Sequence, residues 1–164
     1  MFEDEIRVIE MAAPLPDIGK IAIPDAVLMK PGPLTEEETA IMRRHPKIGY
    51  ELLSGSQNRF IQAGALIALR HHERYDGSGY PDGLVGDEIP LEARIVAVAD
   101  VFDALISPRP YKKAWDVDAA LGYMYAQRGR LFDPRCVDAL IRSRARLDEI
   151  CQRYSTSSTR PGLE

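Results

Sequence analysis

The chain has 164 residues, 45% of them hydrophobic, and a formal net charge of -4 at pH 7, which favours one compact domain with a real core. The negative charge argues against broad binding of DNA or RNA, because proteins that bind nucleic acids usually present a basic face. No apolar run approaches the roughly 18 residues of a membrane span, and the acidic first ten residues do not resemble a signal peptide.

The two cysteines also bear on where the protein resides. Cys136 and Cys151 fall in a stretch that the sequence predicts to be a single C-terminal helix. At a rise of about 1.5 Å per residue they would lie roughly 22 Å apart, too far for a disulfide. Two free thiols suit a reducing cytoplasm, so we expect a cytoplasmic protein.

Helical signals dominate the first half of the chain. Residues 4–13 are predicted to form a helix that Pro14 ends, because proline lacks an amide donor and clashes with the preceding turn. Residues 17–34 are rich in proline and glycine and are predicted to form an ordered connection. Thr35 and Glu38 form a capping box that opens the next helix.

The pattern continues through the second half. Pro46 allows only a kink or a new helix over residues 48–53. Residues 60–72 are predicted to be an apolar helix buried on more than one side, and residues 73–90 a long glycine-rich loop. A further helix is predicted over residues 91–106.

The C-terminal third completes an all-α bundle. Asp116 is predicted to cap a helix through Gln127, and Asp133 with Pro134 to open the last helix. We expect residues 1–153 to form the domain and residues 154–164, which are polar, to be a disordered tail.

Histidines offer the first candidates for a functional site. The chain has three, His45, His71 and His72. His71 and His72 are adjacent, and both can face one metal ion only if the helix ends there, an ending that the following Asp76-Gly77 supplies. The alternative is that they favourably decorate a helix C-terminus, whose dipole stabilises a positive imidazolium. The two arginines before His45 favour its neutral, ligating form.

A carboxylate in an apolar stretch is the next candidate. Asp100 lies in IVAVADVFDALI, where an ionised side chain is costly unless a metal, a cation or a donor satisfies it. An ion pair with Arg94 or Arg109, or an exposed helix face, is the alternative. Asp103, one turn later, is expected to accept a structural hydrogen bond or to face solvent.

Two further segments are open to a functional or a structural interpretation. The sequence DGSGYPDG has turn-forming residues at almost every position and is explained equally well as a rigid turn. Arg109, Tyr111, Lys112 and Lys113 form a basic and aromatic group suited to phosphate contacts, although a solvated charged surface is the usual explanation of such groups.

Six segments together resemble one family. They are, in chain order, DIGKIAIPD, LMKPGPLT, MRRHPKIG, HHERYDGSGYP, ARIVAVADVFDAL and RPYKKAW. They resemble the landmarks of the HD-GYP family, metal-dependent phosphodiesterases that hydrolyse cyclic di-GMP in bacteria, in the same order up to about Ala139. The resemblance implies an HD-domain-like helical bundle with a long GYP loop.

The resemblance also implies a role for individual residues. The implied metal ligands are Asp17, His45, His71, His72 and Asp100. Asp17 and Lys20 would stand at the catalytic centre, where two or three iron or manganese ions activate water in the family. The implied substrate contacts are Lys20, Gly79, Tyr80, Pro81, Arg109 and Lys112. The products would be linear pGpG or GMP.

The sequence departs from the family pattern at its HD dyad. Pro16 stands in the place of the histidine and has no donor atom in its side chain. We also expect the family's first ligand-bearing helices to be missing upstream. Asp17 and Asp100 alone are too few ligands for one metal position, whereas three imidazoles with Asp17 can hold one Zn, Mn or Fe ion. We therefore expect at most one ion.

Three functional hypotheses follow. The first is a cyclic di-GMP phosphodiesterase with weak or absent activity. The second is a non-catalytic signalling module that binds cyclic di-GMP or docks, through its GYP loop, on a diguanylate cyclase domain. The third, a mononuclear hydrolase of simpler phosphoesters, is less favoured because the substrate-contacting residues persist. Missing helices would leave an apolar face, so a homodimer or docking on another protein is also expected.

Overall fold

The computed structural model describes residues 3–108 and 113–157 and contains no β-strand within those ranges. The α-helices are α1 Glu3–Ala12, α2 Asp25–Leu28, α3 Glu36–Met42, α4 His45–Leu53, α5 Arg59–Arg70, α6 Leu91–Ile106, α7 Val117–Ala126, α8 Pro134–Arg142 and α9 Arg144–Ser157. Two 3-10 helices, Ile18–Ala22 and Gly86–Glu88, lie in the connections. The predicted all-α class is confirmed.

Local capping signals set several helix starts. The Thr35 side chain accepts a hydrogen bond from the Glu38 amide, and the Glu38 carboxylate accepts one from the Thr35 amide, which completes the predicted capping box before α3. Asp116 accepts hydrogen bonds from the amides of residues 118 and 119 before α7. Asp133 caps α8, with Pro134 in the first turn as predicted.

The C-terminal prediction was wrong in one respect. The predicted single last helix is two helices, α8 and α9, divided at Ser143. The Ser143 hydroxyl donates to the Ala139 carbonyl at 3.0 Å, and its backbone leaves the helical geometry. Cys136 on α8 and Cys151 on α9 are both free thiols, as predicted. The described part of the chain reaches Ser157, so residues 158–164 of the predicted tail lie outside it.

Two groups of buried side chains form the core. The larger joins α6, α7 and α8 through Val98, Phe102, Leu105, Ala120, Leu121, Met124, Phe132 and Val137. The smaller joins α1, α5 and α6 through Ala12, Ile67 and Val96. Helix α5 packs against α1, α4 and α6, which confirms that it is buried on more than one side.

An ion-pair network that is buried at Asp133 and exposed at Asp87 connects the glycine-rich loop to α6 and α8. Asp133 is 1% exposed and accepts a hydrogen bond from Arg94 on α6 at 2.6 Å. Arg94 also pairs with Asp87 in the loop, at 2.5 Å, and Arg135 on α8 contacts both carboxylates.

None of the described helices is both long and apolar enough to cross a membrane.

Candidate metal centre

Four side chains that can bind a metal ion converge at one end of α4 and α5. Asp17 immediately precedes the first 3-10 helix, His45 is the first residue of α4, and His71 and His72 directly follow α5. One potential ligand atom from each lies within 4.8 Å of all the others. The end of α5 at Arg70 is what lets two adjacent histidines turn to the same point, as the sequence predicted.

Backbone carbonyls orient two of the three rings. His45 Nδ1 lies 2.8 Å from the Met42 carbonyl oxygen, and His71 Nδ1 lies 2.9 Å from that of Ala68. A carbonyl oxygen only accepts hydrogen bonds, so we assign the proton of each neutral ring to Nδ1. The Nε2 lone pairs of His45 and His71 then point into the cluster, the orientation that metal ligation requires.

The spacing of the ligand atoms fits a single ion. His45 Nε2 lies 3.3 Å from His71 Nε2 and 3.2 Å from His72 Nε2, and Asp17 Oδ1 lies 3.5 Å from His45 Nε2. Tetrahedral ligands at ~2.0–2.1 Å from zinc would be separated by about 3.3–3.4 Å. Lone pairs that face each other at these distances repel unless a cation lies between them. The donor set therefore fits a divalent metal ion.

The electrostatic environment favours the metal-binding forms of His45, His72 and Asp17. Burial, and then the neighbouring His71 and His45 rings, lower the pKa of His72 to about 3. Burial also lowers the pKa of His45. Contact with the His71 ring, and then the ion pair with Lys20, hold the pKa of the Asp17 carboxyl well below its usual range. Neutral imidazoles and an ionised carboxylate are the states that bind a divalent cation.

A close backbone contact holds Asp17 at the cluster. Gly19 in the first 3-10 helix packs directly against α4, where a Cβ would overlap the His45 carbonyl oxygen and lie 2.5 Å from the Gly49 amide nitrogen. Gly64 on α5 makes similar room for the Leu15 side chain. Only glycine at position 19 lets the Asp17 segment approach the His45 backbone so closely. Sequence interpretation missed this contact, although glycines in DIGK and KIGY were its signal.

The other predicted site residues divide into three groups. Lys20 lies beside the cluster, with its Nζ 2.8 Å from Asp17 Oδ2. Asp100 is exposed on α6 and is not one of the four clustered ligands, and its suggested partner Arg94 pairs with Asp87 and Asp133 instead. Arg109 and Lys112 lie outside the described residues.

The GYP run lies against the histidines. The Tyr80 ring stacks on the His72 ring, with centroids 4.7 Å apart and planes 20° apart, and the Tyr80 amide donates to the His72 carbonyl at 3.2 Å. The Tyr80–Pro81 bond is cis. A Cβ at Gly79 would lie 2.6 Å from Glu73 Cα, so the loop folds tightly back on the end of α5. The run borders the candidate metal centre.

A buried carboxylate that sequence interpretation missed holds this loop in place. Glu73 is 4% exposed. Its Oε1 accepts from the Asp82 amide at 3.0 Å and from Arg70 at 3.2 Å, and its Oε2 accepts from the Leu84 amide at 3.1 Å. These bonds explain how a loop so rich in glycine presents Tyr80 in one position.

Asp103 on α6 accepts a hydrogen bond from the Ser107 hydroxyl at 3.3 Å, as predicted.

Comparisons with known proteins place this chain in a family. A sequence model described as HD domain matches residues 3–136. The chain is similar to the cyclic di-GMP phosphodiesterase response regulator RpfG of Xanthomonas campestris pv. campestris, with 78% identity over 161 residues, 98% of this chain and 43% of the relative. It is also similar to a cyclic di-GMP phosphodiesterase of Thermotoga maritima, with 46% identity over 97% of this chain and 43% of the relative.

Further similarity extends to enzymes named for another cyclic dinucleotide. The 3'3'-cGAMP-specific phosphodiesterase 2 of Vibrio cholerae is 48% identical over 85% of this chain and 27% of its own length. The crystal structure of the cyclic GMP-AMP specific phosphodiesterase V-cGAP3 of V. cholerae superposes with a TM-score of 0.62 and 21% identity, covering 93% of this chain and 43% of that one, and shows the shared fold. The chain spans less than half the length of these relatives. It belongs to the HD domain family, within the HD-GYP group that its sequence motifs indicate.

Proposed function

We propose that this chain is a metal-dependent phosphodiesterase domain that hydrolyses cyclic di-GMP, and that its turnover is slow. The observation that carries the proposal is the convergence of three imidazole nitrogens and the Asp17 carboxylate, with Lys20 and Tyr80 beside them. A site built to hold a divalent cation next to a lysine suits a phosphodiester, whose charge both can offset.

The side chains of the site have different roles in the proposed reaction. His45, His71, His72 and Asp17 would hold one iron, manganese or zinc ion, and an ion there would supply Lewis acidity and lower the pKa of a water molecule. Lys20 is placed through its ion pair with Asp17 and can donate to a phosphate oxygen. The His45 and His71 rings, which donate to backbone carbonyls, cannot rotate away from the site without losing those hydrogen bonds.

Two features support slow turnover. Pro16 has no donor atom where the family has its dyad histidine. Asp100, the ligand expected at a second metal position, is exposed on α6 and outside the clustered set. We infer that the site holds at most one ion, and hydrolysis that depends on two cooperating metals then loses much of its transition-state stabilisation.

The function is tested with the purified chain loaded with Mn(II). We expect slow conversion of cyclic di-GMP to pGpG or GMP, followed by chromatography, and loss of that conversion in an Asp17→Asn variant. Parallel incubation with 3'3'-cGAMP distinguishes the two substrate classes named for the relatives. Binding of cyclic di-GMP without any conversion would favour the non-catalytic signalling module, and the absence of binding would contradict both.

We also propose that the chain forms a symmetric dimer through an apolar face on α1 and its neighbours. Four large side chains of this face stay more than 40% exposed: Ile6, Met11, Leu66 and Leu91. Two of them, Leu66 and Leu91, line a groove of about 330 Å³ together with Val8, Ile9 and Ala63. A contiguous exposed apolar surface favours burial against a second copy. The Leu66→Glu variant should shift light scattering towards the monomer across a dilution series, and Leu52→Glu, an exposed leucine on α4, is the control.

A wild-type chain that is monomeric at about tens of micromolar and binds no hydrophobic dye would contradict the dimer.

Docking of a diguanylate cyclase domain on the GYP loop is a separate proposal. The loop offers Val85, which is 54% exposed, at its surface, whereas Tyr80 packs on His72. Pull-down of a purified cyclase domain by the wild type but not by a Val85→Glu variant would support it.

A further inference from the structure

An arginine outside the residues discussed so far also borders the candidate metal centre. Arg43 directly follows α3 and stands two positions before the ligand His45. Its guanidinium carbon lies 5.0 Å from the centroid of the Tyr80 ring. Because that ring stacks on His72, a single aromatic side chain connects Arg43 to a candidate metal ligand.

The turn between α3 and α4 carries both Arg43 and the candidate metal ligand His45. The Arg43 amide donates to the Thr39 carbonyl at 2.9 Å, and the neighbouring Met42 carbonyl accepts from His45 Nδ1 at 2.8 Å. The turn between α3 and α4 therefore fixes the backbone positions of Arg43 and His45 relative to each other.

The charge of Arg43 is not neutralised by a neighbouring acid. Within residues 3–108 and 113–157 no carboxylate lies at ion-pair distance from it, whereas Lys20, Arg70 and Arg94 each pair with at least one. Its contact with the Tyr80 ring is a cation–π contact, which leaves the five N–H donors available.

From these observations we propose that Arg43 binds a phosphate of the cyclic dinucleotide substrate at the Tyr80 side of the metal centre. The inference rests on the proposed function. A guanidinium held over an aromatic ring keeps its planar fork of donors in a fixed position, and that fork matches two oxygens of a phosphate. Lys20 pairs with the ligand Asp17, whereas Arg43 contacts Tyr80, which stacks on the ligand His72. The two cations therefore border the candidate metal centre next to different ligands.

The test measures cyclic di-GMP binding by isothermal titration calorimetry on the Mn(II)-loaded full chain. Arg43→Ala should weaken binding by about 10- to 100-fold, the usual effect of removing a charge-assisted hydrogen bond. Arg43→Lys should recover part of the loss, because lysine keeps the charge but not the bidentate geometry. The matched control is Arg44→Ala, which removes the same charge one residue away, in a groove lined by Ile23, Pro24 and Ile48.

Thermal unfolding and manganese content should not change in any of the three variants, because both arginines are exposed. If the wild type binds cyclic di-GMP and Arg43→Ala binds it equally well, the inference alone is overturned. A lysine variant as weak as the alanine variant, or an equal loss in Arg44→Ala, also overturns it. If the wild type binds no cyclic di-GMP, the proposed function and this inference fail together.

Discussion

Cyclic di-GMP hydrolysis by the Mn(II)-loaded chain should be at least ~1000-fold slower than by a relative with an intact HD dyad, a loss of about 4 kcal/mol of transition-state stabilisation. The reason is the number of ligands. Asp17 and three histidines suffice for one ion, and Pro16 adds no donor for a second. Single-turnover measurements with excess enzyme, assayed by chromatography of pGpG, give the rate.

The Pro16→His variant is the informative comparison. We expect it to remain far below the intact relative, because Asp100 is exposed on α6 and lies outside the clustered ligands. The conservative control Pro16→Ala separates any effect of backbone freedom from that of the imidazole. Turnover by the unmodified chain at rates typical of the intact relative would contradict the one-ion account.

Gly19→Ala should weaken manganese binding by about 100-fold or more, although position 19 offers no ligand. The added methyl group would overlap the His45 carbonyl oxygen and crowd the Gly49 amide, so the first 3-10 helix must move away from α4. Asp17 moves with it and leaves the three imidazoles without their carboxylate. Disturbing residues that orient ligands typically lowers metal affinity by about 10- to 100-fold, and here a ligand itself is displaced.

Competition with a chelating dye gives the manganese affinity, and circular dichroism checks that the variant is folded. Gly122→Ala on α7 is the control, because a Cβ there meets no atom within 4 Å. If Gly19→Ala unfolds, the milder Gly49→Ala, whose Cβ would lie 3.3 Å from Ile18 Cγ2 and 3.4 Å from the Gly19 amide nitrogen, tests the same interface. A folded Gly19→Ala with wild-type affinity would show that this contact does not position Asp17.

Local signals made much of the fold predictable. The capping box at Thr35, the Asp133–Pro134 pair and the prolines around α6 act within a few residues, so they are legible without tertiary information. Helix α6 was predicted with the bounds Leu91–Ile106 that the structure has. The break at Ser143 was not predicted, because it depends on a hydroxyl that bonds to its own helix rather than on a proline or glycine.

The candidate site was predictable only in part, because only some of its features depend on local sequence signals. The adjacency of His71 and His72 at a helix end allowed them to share an ion, the family resemblance added His45, and the structure brings the three rings together. The arrangement around them depends on contacts between distant segments. Neither the buried Glu73 beneath the loop nor the contact of Arg43 with Tyr80 follows from a local pattern. The apolar neighbours of Asp100 suggested a metal or another partner for it, with an exposed helix face as the alternative, and the structure has Asp100 exposed on α6.

The most direct test of the central claim is the number of metal ions held per chain. The protein is purified anaerobically, loaded with Mn(II) or Fe(II), desalted and analysed by inductively coupled plasma mass spectrometry beside a His71→Ala variant. A site formed by Asp17, His45, His71 and His72 predicts one equivalent in the wild type and almost none in the variant. Two or more retained equivalents, or none in the wild type, would contradict it.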